Sequence, residues 1–229
     1  MNKKCNILSF SEKEKACEDT FGANGPYWHL FTNGNTMQNI FCNEEDFKTG
    51  MWCLAAALHL NIVIRGITFE LMSNHVHLIL AGNREECIKV FEFFSARLKQ
   101  AFSKRKRPIE WSQFKMNILP IETPQALRNE IIYVNRNAFV ANSMYTPDSY
   151  PWGGGCAYFS PWLKHIKTTP LGNLKVNSQR ALLHTRDVAP LSQLLEVGGM
   201  PFIPSFCDIS LGESMFRDAR SYFNSLTRN

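Results

Sequence analysis

Between residues 61 and 81 the chain reads NIVIRGITFELMSNHVHLILA, and its apolar side chains fall on every second position. Val63, Ile67 and Phe69, then Leu78 and Leu80, mark two strands with a break near Met72-Ser73-Asn74, a spacing that suits a hairpin. The segments on either side switch to helical spacing. Asn43 stands three positions before Asp46 as a capping residue, and Phe47, Met51, Leu54 and Leu58 then share one helical face as far as Leu60. Asn83 opens a second helix, with Glu86 three residues on and Cys87, Phe91, Phe94, Leu98 and Ala101 or Phe102 on its apolar side. A chain that changes hydrophobic period in this order has few folds open to it.

Upstream, YWHLFTNG at 27–34 alternates and stops at Asn33-Gly34, a strand followed by a turn. Downstream, KMNILPIE at 115–122 reads as a short strand whose Pro120 suits an edge. Thr123-Pro124 then opens a helix with Leu127, Ile131, Val134 and Ala138 on its stripe. The order strand, helix, strand, strand, helix, strand matches the split βαβ pattern of ferredoxin-like folds. It predicts an α+β domain with a four-stranded antiparallel sheet and helices on one face, joined by a further helix that carries Tyr133 and by a C-terminal appendage. Residues 1–26 are then an N-terminal extension, 27–165 the domain and 166–229 an accessory segment. In that segment 166–200 lacks a period, and Ser210-Leu-Gly-Glu213 reads as a capping box ahead of Met215, Phe216, Ala219, Tyr222, Phe223 and Leu226.

Composition excludes several classes. With 45% hydrophobic and 20% charged residues, the 229-residue chain is neither disordered nor fibrous, and no run of about eighteen apolar residues could span a membrane. The N-terminus turns charged where a signal peptide needs its apolar stretch, and seven scattered cysteines include no C-x-x-C pair; both point to the cytoplasm. A net charge of +5 permits nucleic-acid binding. The basic residues concentrate in Arg97–Arg107, RLKQAFSKRKR, which is either a solvated helix end or a phosphate-binding patch.

The chemistry gathers at His75-Val76-His77. Side chains two apart on a strand share a face, so both imidazoles can take adjacent positions on one metal ion. Alone, such a pair is also an ordinary polar couple on a solvated sheet. Tyr133 and Asn137, spaced i and i+4, stack on one helix face. Asn137 could lend an amide oxygen as a third ligand, and a nearby cation would favour the Tyr133 phenolate as a nucleophile.

In combination these residues resemble a family. LMSNHVHLIL resembles the HUH motif (histidine, bulky hydrophobic, histidine) of single-tyrosine HUH transposases, most of all the REP-associated tyrosine transposases. In family order, IFCNEEDF at 40–47 is similar to the segment entering the first helix, and Glu110-Trp111-Ser-Gln-Phe114 to the tryptophan-containing stretch after the basic helix. Tyr133-Val-Asn-Arg-Asn137 resembles the tyrosine-helix motif, and Tyr150-Pro-Trp152 the aromatic signature after it. The resemblance spans roughly residues 27 to 160. It implies a metal-dependent endonuclease and strand transferase acting on single-stranded DNA at hairpin, REP-like elements, cytoplasmic and nucleoid-associated, with no membrane partner. His75, His77 and Asn137 would hold Mg²⁺ or Mn²⁺, and Tyr133 would form a 5′-phosphotyrosine link. Lys99, Lys104, Arg105, Lys106 and Arg107 would contact phosphates, and unpaired bases could stack on Trp111 and Trp152.

Relatives in the wider transposase group share active sites across a dimer, so a homodimer is one expectation and cis or trans use of Tyr133 stays open. This chain departs from the family's pattern at Asn135, where relatives have histidine, at Ala138, where they have proline, and at Gly153-Gly154-Gly155. Two alternatives stand beside catalysis by Tyr133: a hairpin-binding module that no longer cleaves, and a phosphodiesterase that uses water.

Overall fold

In the computed structural model, which describes residues 9–36, 38–103, 107–142 and 144–227, side-chain caps set where the main helices begin. At α1 (Phe10–Asn24), Ser9 and Glu12 form a complete capping box. This helix falls in the stretch read above as an extension; its cap is visible in the sequence, but only Cys17 is buried, so no apolar stripe announces it. Asn43 accepts from the Asp46 N–H at the head of α2 (Glu44–Leu60). Asn83 accepts from Glu85 N–H at α3 (Arg84–Phe102), while Glu86 pairs with Lys89 and takes no part in the cap. Thr123 accepts from Ala126 N–H at α4 (Pro124–Ala141), whose proline occupies the first turn.

The strands are β1 (Tyr27–Thr32), β2 (Arg65–Leu71), β3 (Val76–Ala81) and β4 (Met116–Ile121), in the order β2-β3-β1-β4 with every pair antiparallel. This is the ferredoxin-like arrangement that the change of period predicts. Val63 does not join β2 as expected; it lies in an exposed turn before the strand.

Alternation along the strands sends the two sets of side chains to opposite faces. Leu71 and Val76 pair across β2 and β3 and lie under α2, which approaches closely at Gly50: a Cβ there would come within 3.0 Å of Leu71. The opposite face carries Thr68, Glu70, His77 and His29, and α4 covers it where it crosses β2 and β3. Among the described residues that face is uncovered only toward one end of β1 and along β4, with Asn117 and Leu119 exposed and Phe31 half-buried, while His29, Tyr27 and Ile121 of the same face are buried. The helix that carries Tyr133 therefore lies across the sheet from α2 and α3.

Edge strand β2 is covered along its length, which removes an unpaired edge. Leu71 N–H donates to the Trp152 carbonyl at 2.9 Å, Glu70 bridges Gly153, and Asp208 N–H donates to the Gly66 carbonyl at 2.8 Å. At Gly154 any Cβ would sit 2.5 Å from Thr68 Oγ1, so the glycine run is what lets this segment lie flat on β2.

The accessory segment holds α5 (Val176–Leu183), a small sheet of β5 (Thr169–Pro170), β6 (Leu195–Val197) and β7 (Met200–Pro201), then α6 (Ile209–Ser214) and α7 (Ala219–Thr227). Leu171, Leu183, Leu191, Leu194, Tyr222 and Leu226 are buried in the same core as the main sheet. Two expectations are corrected here. The cap of α6 is Asp208, which accepts from Leu211 N–H, whereas Ser210 only bonds to that carboxylate and Glu213 turns away to accept from Phe159 N–H. The helical spacing from 210 to 226 is also split, into α6 and α7. Among the described residues no helix is long and apolar enough to cross a membrane.

Candidate functional site

His75 lies one residue ahead of β3, and its ring centroid is 5.0 Å from that of His77. The two imidazoles project together, as the H-x-H spacing requires. His75 packs on the turn after β1, where a Cβ at Gly34 would come within 2.7 Å of its Nδ1; glycine is needed for that approach. From α4, the Tyr133 ring stands edge-on to His77, with centroids 5.5 Å apart and planes at 89°. The fold thus unites His75, His77 and Tyr133. Asn137, one turn further along α4, joins Tyr133 in lining a cleft of about 670 Å³ between α1, α4 and α7, and among the described residues its buried Nδ2 has no hydrogen-bond partner.

Two further residues complete the cluster, and the sequence reading passed over both. His29 of β1 is a diagonal neighbour of His77, and its Nε2 lies 3.0 Å from His77 Nδ1. Its Nδ1 lies 2.8 Å from the carboxylate of Glu130 on α4. Glu130, Tyr133 and Asn137 stand at i, i+3 and i+7, a helical stripe that could have drawn attention to the glutamate. His75 is held separately: Asn74 donates its amide N–H to the Gly34 carbonyl at 2.8 Å, which turns Oδ1 toward His75 Nδ1, also at 2.8 Å.

Burial, with His29 and His75 as added neighbours, pushes His77 down to about 3, and burial also lowers His75. Both rings are therefore neutral at physiological pH, the state that can donate a lone pair to a cation. Among the described residues no three of His, Cys, Asp and Glu converge as a metal site, so two imidazoles would need oxygen from an amide, water or phosphate to fill a shell.

The departures from the family's pattern face inward. Asn135 is buried; it accepts from Thr68 and donates to the Tyr222 hydroxyl at 2.9 Å, tying β2 to α7. Ala138 is buried beside Tyr150, and its N–H donates to Glu70 at 2.6 Å. Burial raises that carboxyl to about 8 against the pull of this bond. At neutral pH it is protonated in the fold, whereas the unfolded chain, near 4.5, has released the proton. Unfolding then releases a proton, so this group makes stability fall as pH rises from about 4.5 to about 8, by at most ~1.4 kcal/mol per unit. Glu70→Gln keeps an acceptor for Ala138 and removes the titration. Urea unfolding at several pH values is expected to show a flatter slope for the variant and a gain of about 1–3 kcal/mol over wild type near pH 8; parallel slopes would sink this account.

The DNA-contact candidates are more dispersed. Lys99 Nζ stands 6.0 Å from the Trp111 ring, and Trp111 is half-buried against Phe102 and Phe114. Arg107 is bonded to Asp46 at 2.9 Å and to the Asn39 and Ile40 carbonyls at 2.6 Å, so it clamps the loop before α2. Lys104, Arg105 and Lys106 lie outside the described residues. Trp152 is half-buried and stacks on Phe47, with centroids 5.1 Å apart. No protein-family model, curated protein or solved structure matches this chain.

Proposed function

We propose that the chain is a metal-dependent endonuclease and strand transferase of the single-tyrosine HUH transposase type, cutting single-stranded DNA beside hairpin, REP-like elements. The observation that carries this reading is the meeting of an exposed tyrosine with two imidazoles whose Nδ1 atoms are both engaged, that of His75 by Asn74 and that of His77 by His29. Each ring then has Nε2 left for Mg²⁺ or Mn²⁺, with Asn137, water or a phosphodiester oxygen to add oxygen ligands. A bound ion would draw charge from the phosphoryl oxygens as it builds.

The chain's own residues do the rest. Tyr133 Oη attacks phosphorus; the Oη–P bond forms and the P–O3′ bond breaks, leaving a 5′-phosphotyrosine and a free 3′-hydroxyl. The phenol proton passes to solvent, and the departing oxygen takes one up. Tyr133 meets His77 of its own chain, which supports action in cis without calling on a homodimer. The open sheet surface at Phe31, Asn117 and Leu119 gives a single strand a path beside His77, as sheets of this type do for other nucleic acids. Lys99, Lys104, Arg105 and Lys106 would add phosphate contacts, with Arg107 kept for its clamp on the loop before α2; Trp111 and Trp152 would offer stacking surfaces, and such an activity would place the chain on the nucleoid.

The test is a covalent-adduct assay. Protein is incubated with end-labelled hairpin oligonucleotides from the DNA flanking its gene, with and without Mg²⁺ or Mn²⁺, and run on a denaturing gel. A metal-dependent shifted band is expected. Binding without an adduct would instead identify a hairpin-binding module, and cut DNA with free ends a water-using phosphodiesterase.

A further inference from the structure

We infer that His29 and Glu130 are positioning residues which hold His77 in the one tautomer that presents Nε2 as a bare lone pair. The inference rests on the metal reading above for its purpose, but its geometry stands independently. A carboxylate can only accept, so the contact of Glu130 with His29 Nδ1 at 2.8 Å places the His29 proton on Nδ1. A His29 that carries this one proton has a bare Nε2, which at 3.0 Å accepts from Nδ1–H of His77; a doubly protonated His29 would donate instead, and finding it would overturn the inference. His77, with a single proton now on Nδ1, has nothing on Nε2. The same chain follows from the other end: a cation on Nε2 of His77 requires the proton on Nδ1, which requires an acceptor at His29, which requires an acceptor at its far nitrogen.

Burial makes this chain hard to replace. His29 and His77 are 5% and 4% exposed, so water does not stand in for a lost partner. Metal-binding histidines commonly donate their second ring N–H to a carboxylate; here an imidazole is interposed, and the carboxylate comes from the helix that carries Tyr133. The three elements β1, β3 and α4 are thereby locked at the place where the nucleophile meets the imidazole. His75 has its own, shorter device in Asn74.

Two measurements on the full chain test this. Nitrogen-15 spectra of histidine-labelled, metal-free protein report which ring nitrogen carries the proton. His29 and His77 are both expected as Nδ1–H tautomers, and His77 found protonated on Nε2 would overturn the proposal whether or not metal binds. Mn²⁺ affinity, read from the paramagnetic resonance of the free ion, is expected to fall about 10- to 100-fold in His29→Phe and by less in Glu130→Gln, whose amide oxygen can still accept. Glu130 has 37% of its side chain exposed, so its variant should fold even where the His29 variant does not. Affinities within twofold of wild type in both variants would also overturn it. Wild type with no Mn²⁺ affinity would count against the metal reading, and the tautomers would then decide the positioning claim on their own.

Discussion

Tyr133→Phe is expected to bind hairpin DNA as wild type does and to form no covalent adduct. The five other tyrosines are poorly placed to substitute. Tyr27, Tyr150, Tyr158 and Tyr222 are each 7% exposed or less, and the hydroxyls of Tyr150 and Tyr158 donate to the Leu71 and Ile67 carbonyls. Burial raises the phenols of all four, Tyr27 to about 12, which holds them in the poorly nucleophilic neutral form. Tyr145 is half-buried with its ring against Tyr150. Tyr133, at 52% exposed, has its ring over His77 and lines the cleft. Replacing it with phenylalanine deletes one exposed hydroxyl and keeps the ring contact, so stability should change by no more than ~0.5 kcal/mol. Loss of the adduct without loss of folding or binding would separate the nucleophile from the scaffold. An adduct that survives in Tyr133→Phe would refute the assignment and send the search to Tyr145.

The elements that carry this site were legible because their signals are local. The switch between alternation and helical spacing locates four strands and three helices, while His75, His77 and Tyr133 stand out through spacing within one strand or one helix only when the resemblance to a family's motifs is added. His29 and Glu130 do not. His29 reads as one more side chain in an alternating strand, and only the pairing of Phe31 with His77 brings it beside that imidazole. Register of this kind is set by tertiary packing, which no window of ten residues contains. α1 was missed for the opposite reason: its cap is local, but it buries a single side chain and so leaves no stripe.

The departures from the family's pattern show a related limit. Read from sequence, Asn135, Ala138 and the three glycines are departures from a motif and nothing more. In the fold each has an inward partner: Asn135 bonds Tyr222 of α7, Ala138 N–H bonds Glu70, and Gly154 lies on Thr68. A residue's neighbours in the motif are thus poor guides to its job once a further segment packs into the same core.

The second large effect is expected at His75. His75→Ala removes one of the two imidazoles at a half-buried position whose ring makes its hydrogen bond with Asn74, so the fold should survive with a melting temperature close to wild type. His77→Ala would be a worse probe, since it also strips His29 of its buried partner. A bound cation supplies several kcal/mol of charge stabilisation in phosphoryl chemistry, and ~2.7 kcal/mol already corresponds to about a hundredfold in rate. Adduct formation by His75→Ala is therefore expected to fall at least about a hundredfold at fixed Mn²⁺. It should recover in part as Mn²⁺ is raised, because on the metal-dependent reading His77 would still hold the ion with lower affinity. Tyr133→Phe should show no such recovery, because no amount of metal replaces the missing oxygen. That contrast separates a ligand from a nucleophile in a single titration. If His75→Ala forms the adduct at the wild-type rate, and a chelator leaves wild type equally active, then the imidazole pair serves the sheet rather than a cation and the metal-dependent reading fails.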